Sequence, residues 1–395
     1  LKVPLLDLRA QYRTIRKEIE DGIRSVLESQ RFILGADVQR FEEQIASYLQ
    51  CRHAIGVASG SDALLLSLMA LGVGAGDGVL VPPFTFFSSV SAITRLGARP
   101  FFVDVDSESG LVSPSAVDAF LHDHAKSGTH SDATTEKKTG CRLRVLLPVH
   151  LYGQACAMEA LLPIADEYGI SVVEDVAQAM GAQISLPGGR KAAGTVGLLG
   201  CFSFFPSKNL GALGDAGLVG TNNAAVARKI RVLRVHGQTS KYQHEMIGLN
   251  SRLDSIQARV LEVKLRYLDQ WCAGRIERAR LYQSLFSAAG LLDAGAIGLP
   301  ESRSDRSHVF NYYVIRALRR DQLRDYLSSQ GIGTEIYYPI PLHLQPCFAY
   351  LGYRKGDIPN AEKLAAEVLA LPIYPELTAE QQEYVVEKIR RFYES

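Results

Sequence analysis

Short apolar runs alternating with helical stretches predict an α/β chain built around a mostly parallel sheet. The runs are Ile55–Ala58, Leu80–Pro82, Pro100–Val105, Val145–Val149 and Ser171–Val173, with helix candidates at 62–71, 86–96, 113–122 and 157–168 between them. Such alternation reads as βαβ units whose strands are covered on both faces. A second observation is the crowding of Gly, Pro, Ser and charge at 290–308, after which strand-like and helical patterns resume. The division expected is an N-terminal arm and helix at 1–30, a large α/β domain at 31–271 and a smaller α+β domain at 272–395.

Each element has a local reason. Ile15, Ile19, Ile23 and Val26 fall on one face of a helix over 12–28, and Val38, Phe41, Ile45 and Leu49 repeat that spacing over 38–49. Residues 122–140 are polar and lack apolar periodicity, so they read as a surface excursion. The glycine-rich run Gly211–Val219, followed by Thr221-Asn222-Asn223, reads as a hairpin-like or antiparallel edge returning into a helix at 223–236. A long helix is expected over 252–271, with a break near Ala273-Gly274 and a further helix over 275–289. Beyond 308, Tyr312–Arg316 alternates like a strand, and 320–330, 361–369 and 379–393 read as helices.

Composition narrows the function classes. The 43 basic and 42 acidic side chains among 395 residues nearly cancel, so no global field draws nucleic acid or anionic lipid. No apolar run approaches the roughly 20 residues that span a bilayer, and no signal-like segment opens the chain. Six cysteines, at 51, 141, 156, 201, 272 and 347, lack CxxC spacing. They suggest reduced thiols and a cytoplasmic location. His150, His236, His308 and His343 are too dispersed for a zinc site, and His122, His124 and His130 read as surface residues of the polar excursion, so no metal is expected.

Ligands of open α/β sheets bind beyond the carboxyl ends of the strands, and polar groups gather there in this chain. Ser59-Gly60-Ser61 opens a helix: Ser61 can cap it, Gly60 lets a ligand approach the backbone, and the exposed N–H groups favour a phosphate. Neither GxxxxGK nor GxGxxG is present, so this is neither a P-loop nor a dinucleotide fingerprint, and a plain helix cap is the simpler alternative. Asp175 closes the run Ser171-Val172-Val173-Glu174-Asp175, where a carboxylate is costly without a charged partner. A protonated pyridine nitrogen is such a partner; a salt bridge or helix cap is the competing account. Glu174 alternates to the other face and reads as structural. Gln178 lies within reach of a ring hydroxyl oxygen on the same ligand.

Lys208 sits amid Phe202, Phe204, Phe205 and Pro206, apolar company in which a lysine suits imine chemistry. Ser203 and Ser207 can add hydroxyls to the phosphate or serve the turn. Phe86 can cover one ring face, with Phe84 and Phe87 as competitors and core packing as the default for all three. Asn250 and Arg252 place an amide and a guanidinium just ahead of the long helix; Arg252 can bind a carboxylate or pair with Asp254. An amine, a strand-end carboxylate and an anion-cradling turn are together what pyridoxal 5′-phosphate requires.

These residues resemble the DegT/DnrJ/EryC1/StrS family of sugar aminotransferases. The resemblance rests on Pro4-Leu5-Leu6-Asp7-Leu8, Phe32-Ile33-Leu34-Gly35, Gly60-Ser61-Asp62-Ala63-Leu64, Glu174-Asp175-Val176-Ala177-Gln178, Ser203-Phe204-Phe205-Pro206-Ser207-Lys208 and Gly248-Leu249-Asn250-Ser251-Arg252-Leu253-Asp254. It implies the aspartate-aminotransferase-like, type I fold and homodimers with shared active sites. By resemblance, Lys208 is the Schiff-base lysine, Asp175 the partner of the pyridinium nitrogen, Gln178 the contact to the ring hydroxyl and Phe86 the stacked ring. Gly60, Ser61 and Ser203 form the phosphate cradle, Asn250 reaches the phosphate from the second subunit, and Arg252 lies near the donor carboxylate or the sugar nucleotide. Ser61 stands where Thr is commoner, which keeps the hydroxyl.

The implied reaction carries an amino group from L-glutamate, through pyridoxamine phosphate, to the keto carbon of a dTDP- or UDP-linked ketosugar. His236-Gly237-Gln238, Lys241-Tyr242-Gln243-His244 and Tyr337-Tyr338-Pro339-Ile340-Pro341-Leu342-His343 resemble enzymes that aminate C3 of a hexose, with C4 amination as the alternative. Tyr338 and His343 are then candidates to border the substrate, against ordinary aromatic packing. Residues 122–140 and the turn ending Gln183–Arg190 depart from the family pattern, and either could reshape a crossing or the sugar-nucleotide entrance. A non-catalytic pyridoxal-phosphate-binding regulator of the same fold is the rival reading. A dehydratase of the family is disfavoured, because those carry His in place of Lys208.

Overall fold

A computed structural model describes residues 1–126, 133–301 and 306–394. The sheet is built on β1 (His53–Val57), β2 (Asp77–Val81), β3 (Arg99–Phe102), β4 (Arg142–Leu146), β5 (Ser171–Asp175), β6 (Leu199–Ser203) and β7 (Gly217–Thr221), in the spatial order β1-β7-β6-β5-β4-β2-β3. β6, β5, β4, β2 and β3 run parallel; β7 is antiparallel to both β1 and β6. β1 therefore points the same way as β6, and the carboxyl ends of six strands share one rim of the sheet. Val172 and Val173 of β5 and every residue of β2 are buried, the continuous apolar pattern that helices on both faces impose.

Two expectations about this region change. The glycine-rich segment runs as loop to Ala216 and then as β7, which is antiparallel as expected but interior, not an edge: it is hydrogen-bonded on both sides, and a Cβ at Gly217 would fall 2.3 Å from the Ser59 backbone. The long C-terminal helix of the large domain breaks earlier than expected, into Ser255–Leu265 and Leu268–Ala288. Gly274 lies inside the second helix, where an added Cβ would come within 3.0 Å of Pro375. There glycine serves packing and not a break.

Helix α1 (Leu8–Ser29) buries Ile15, Ile19 and Val26, and Ile15 and Ile19 pack with Val260, Val263 and Trp271 of the two later helices. Helix α2 (Ala36–Leu49) buries Val38, Phe41, Ile45 and Leu49 against the main core. The C-terminal part holds an antiparallel sheet of Ile297–Gly298, Tyr313–Ala317 and Val368–Leu371, with helices Arg320–Ser329, Pro359–Glu367 and Ala379–Glu394. The N-terminal arm joins this part through a parallel bridge between Val3 and Ile332. The polar excursion begins as the end of helix Pro114–His124 and forms a short antiparallel pair, Ala125–Lys126 with Thr135–Glu136; His130 lies outside the described residues. Gln183–Leu186 and Gly189–Ala192 form a hairpin. Among the described residues, no helix is long and apolar enough to cross a membrane.

Candidate active site

The carboxyl rim of the sheet opens into a cavity of about 480 Å³. Its walls come from distant parts of the chain: Gly60 and Ser61, Phe86, Asp175 and Gln178, Ser203 and Lys208, and Tyr338. These are eight of the eleven residues singled out from sequence, and their convergence follows from topology. β1, β5 and β6 deliver the segments 59–61, 175–178 and 203–208 to one end of the sheet.

Asp175 is the last residue of β5 and is 4% exposed. Its Oδ2 accepts a hydrogen bond from the Ser89 hydroxyl at 2.8 Å, and Oδ1 accepts from the Ala177 N–H at 3.1 Å. Burial pushes its carboxyl above the ordinary value, opposed by those two donors and by the charge of Lys208. Such a carboxylate is poised to hold a cation in the cavity. Glu174 faces the other side, as alternation requires, and is fully buried. It accepts bonds from the N–H groups of Gly194, Val196 and Gly197 and from His150 Nε2, at 2.6–2.9 Å. The Cys156 N–H donates to His150 Nδ1 at 2.9 Å, which leaves Nε2–H as the donor to Glu174. Glu174 thus fixes the backbone behind Asp175.

Gln178 is oriented by the backbone. The Tyr152 N–H donates to its Oε1 at 2.6 Å, so its Nε2 is the end that donates to the Tyr338 hydroxyl, at 2.9 Å. Phe86 is 55% exposed at the cavity wall, its ring 6.0 Å from that of Tyr338. Phe84 is buried in the core, and Phe87 stacks on Phe348; neither lines the cavity.

Helix α3 (Gly60–Ala70) begins at the rim. Its cap is Ser59, whose hydroxyl accepts from the Asp62 N–H at 3.1 Å, and not Ser61 as expected. Ser61 lies in the first turn with its hydroxyl 2.6 Å from that of Ser88. Gly60 is required by its neighbour: an added Cβ would fall 2.6 Å from the Ser203 Cβ. The start of α3 and the end of β6 therefore meet with no intervening side chain. A helix terminus flanked by the hydroxyls of Ser61, Ser88 and Ser203 suits a phosphate.

Lys208 lies on the loop after β6, half-buried, with its Nζ 5.7 Å from the centre of the Tyr312 ring. Tyr312, Tyr337 and Asp215 complete that side of the cavity. Sequence reasoning missed them, along with Ser88, Ser89 and Tyr152. Ser88 and Ser89 directly follow the Phe84–Phe87 segment, so the signal available was a pair of hydroxyls at a strand end. Asn250, Arg252 and His343 do not line the cavity. Asn250 is exposed and Arg252 half-buried, ahead of helix Ser255–Leu265. His343 is 1% exposed, packs near Phe102 and Tyr353, and has its Nε2 3.1 Å from Glu362.

The residues present fit pyridoxal phosphate. A buried carboxylate held in place by Ser89, a helix start at which a Cβ on Gly60 would clash with Ser203, an exposed aromatic ring and a lysine amine all face one cavity.

Comparison with known proteins agrees with this chemistry. The profile of the DegT/DnrJ/EryC1/StrS aminotransferase family matches residues 13–390. A pleiotropic regulatory protein of Geobacillus stearothermophilus is 46% identical over 393 residues, covering 100% of this chain and 99% of the relative. The dTDP-3-amino-3,4,6-trideoxy-alpha-D-glucose transaminase of Streptomyces venezuelae is 40% identical, covering 100% of this chain and 97% of that enzyme. The crystal structure of S. venezuelae DesV in complex with a ketimine intermediate superposes with a TM-score of 0.88 at 39% identity, covering 100% of this chain and 99% of that one.

Proposed function

The chain belongs to the DegT/DnrJ/EryC1/StrS aminotransferase family, and from that membership we propose that it transfers the amino group of L-glutamate to C3 of a nucleotide-linked 3-ketohexose. The broader reaction, pyridoxal- and pyridoxamine-phosphate-dependent conversion of a nucleotide-sugar ketone to an aminosugar, is that of the family. The C3 assignment draws support from the 3-amino sugar in the name of the S. venezuelae relative. The observation that carries the reading is the convergence of Lys208, Asp175 and the start of α3 on one cavity.

When bound, the cofactor supplies an electron sink for the carbon that gains or loses the amino group. Asp175 holds the positive charge of the ring nitrogen in a buried setting where water does not compensate it. Gln178, aimed by Tyr152, presents an N–H to an oxygen acceptor on the ring. Phe86 covers one face, and the α3 terminus with Ser61 and Ser203 binds the phosphate. Lys208 would hold the cofactor through its amine, and its Nζ would be the group that moves a proton at the reacting carbon. Asn250, outside its own chain's cavity, completes the phosphate site of a second subunit, and Arg252 and Tyr338 meet the donor carboxylate or the sugar nucleotide. His343 belongs to the wall behind the site.

The name of the Geobacillus relative favours one rival, a regulator that binds the cofactor without turnover. Borohydride reduction followed by peptide mass analysis, together with absorbance on adding L-glutamate, separates the two. A catalyst is labelled at Lys208, responds to L-glutamate, and loses transfer on Lys208→Ala. Label elsewhere, or full turnover by Lys208→Ala, refutes the assignment; labelled protein inert to every amino donor supports the regulator.

A further inference from the structure

Lys264 is a buried cation for which the chemistry above has no use. It lies near the end of helix Ser255–Leu265, is 7% exposed, and burial pushes its ammonium down to about 8. A lysine is rarely buried to this degree unless its charge is matched. A methionine would fill the same space without desolvating an ammonium, so packing alone does not call for a lysine. The reason for a lysine here must be sought in what it touches.

Its Nζ donates to the Gly211 carbonyl at 2.6 Å. Gly211 belongs to the loop that carries Lys208. That loop is closed at its base, where the Ala212 N–H donates to the Phe204 carbonyl and the Phe204 N–H to the Ala216 carbonyl, each at 2.8 Å. Within it, the Lys208 N–H donates to the Phe205 carbonyl at 2.9 Å. The two arms touch: a Cβ at Gly211 would fall 2.3 Å from the Pro206 carbonyl oxygen. Displacing Gly211 therefore displaces Pro206 and, two residues on, Lys208. The same helix holds the loop a second time, since Gln257 Oε1 accepts from the Leu213 N–H at 2.8 Å.

We propose that Lys264 is a positioning residue for Lys208, fixing the loop through the Gly211 carbonyl so that the amine keeps its place over the cavity. The inference rests on the reading of Lys208 as the amine that holds the cofactor. It explains why a costly buried ammonium is kept: the donor holds a backbone whose displacement by about 1 Å can cost about 10²-fold in rate.

The test compares full-length, cofactor-loaded wild type with Lys264→Met and Gln257→Leu. Three quantities are read: the rate of borohydride labelling at position 208, the single-turnover rate with L-glutamate, and Tm. The expected result for Lys264→Met is a Tm near or modestly below that of wild type, because relief of the buried ammonium is offset by an unpaired Gly211 carbonyl, with labelling and the glutamate half-reaction slowed by about tenfold or more and KM for the sugar nucleotide within about twofold of wild type. Gln257→Leu, which releases an exposed part of the loop, gives a smaller loss of the same kind. Slowed labelling at position 208 with KM for the sugar nucleotide retained is something a merely structural lysine would not produce. Lys264→Met labelled at the wild-type rate overturns the inference alone. Should Lys264→Met not fold, Gln257→Leu decides: slowed labelling sustains the inference and normal labelling overturns it. Wild type unlabelled at position 208 overturns the site assignment and this inference with it.

Discussion

At the scale of single residues, Asp175 shows how burial turns an ordinary carboxylate into a ligand-dependent one. Burial raises its pKa, and Ser89 and the Ala177 N–H only partly offset that. Without cofactor, the unfolded chain ionises near the ordinary aspartate value of about 3.9, while the folded chain holds its proton to higher pH. Between those two values the folded state binds more protons, so this group's contribution to stability falls as pH rises. Above the raised value the full cost remains. Asp175→Asn removes it, so near neutral pH the cofactor-free variant should melt at or above the wild-type Tm. With cofactor bound the order should reverse, because wild type regains a buried ion pair whose loss costs about 3–5 kcal/mol, or roughly 10²-fold or more in cofactor affinity. Calorimetry of both forms at several pH values checks the crossover; a variant less stable in both forms would count against a buried, cation-seeking Asp175.

At the scale of elements, the junction of α3 with β6 makes the phosphate end of the site. Gly60→Ala places a methyl 2.6 Å from the Ser203 Cβ, so helix and strand must separate. Overpacking of this kind costs about 1–3 kcal/mol. The expected outcome is a lower Tm and faster cofactor release, followed by loss of the visible absorption band on dialysis. A variant that keeps the band would mean that the cradle tolerates widening. The same junction shows what is legible in a sequence. A carboxylate closing an apolar run, as at Asp175, and a lysine among phenylalanines, as at Lys208, stand out because their neighbours make them costly. Which serine caps α3 does not, because Ser59 and Ser61 have the same chemistry and only the backbone path selects Ser59. The break at Arg266-Tyr267 was hidden because Gly274 is the more obvious breaker, and its role comes from Pro375, a hundred residues away. β7 read as an edge because its glycines suggest weak pairing, whereas β1 and β6 pair with it on either side and Gly217 makes room for the Ser59 backbone. His343 read as a substrate neighbour from its place in a motif, but its contact with Glu362 is set by folding of the C-terminal part.

At the scale of the molecule, the cavity of one chain lacks part of what its ligands need. Among the described residues that line it, Lys208 is the one cationic side chain, against the carboxylates of Asp175 and Asp215, while a phosphorylated cofactor and a nucleotide sugar both bring negative charge. Asn250 and Arg252, the polar pair expected to meet those anions, stand outside this cavity, with Asn250 exposed. A homodimer with shared active sites, as proposed above, would resolve this if Asn250 of each subunit serves the cavity of the other. Two impaired variants then make a sharp test. In a mixed dimer of Lys208→Ala with Asn250→Ala, one cavity receives both defects and the other receives neither. Random reassortment of equal amounts gives half mixed dimers, so about a quarter of the wild-type sites should be restored. Refolding or slow exchange of the two variants together, with L-glutamate turnover as readout, measures that recovery. Activity of the mixture that stays at the mean of its parents would place Asn250 in the service of its own chain, and the negative charge of the ligands would then need a different partner.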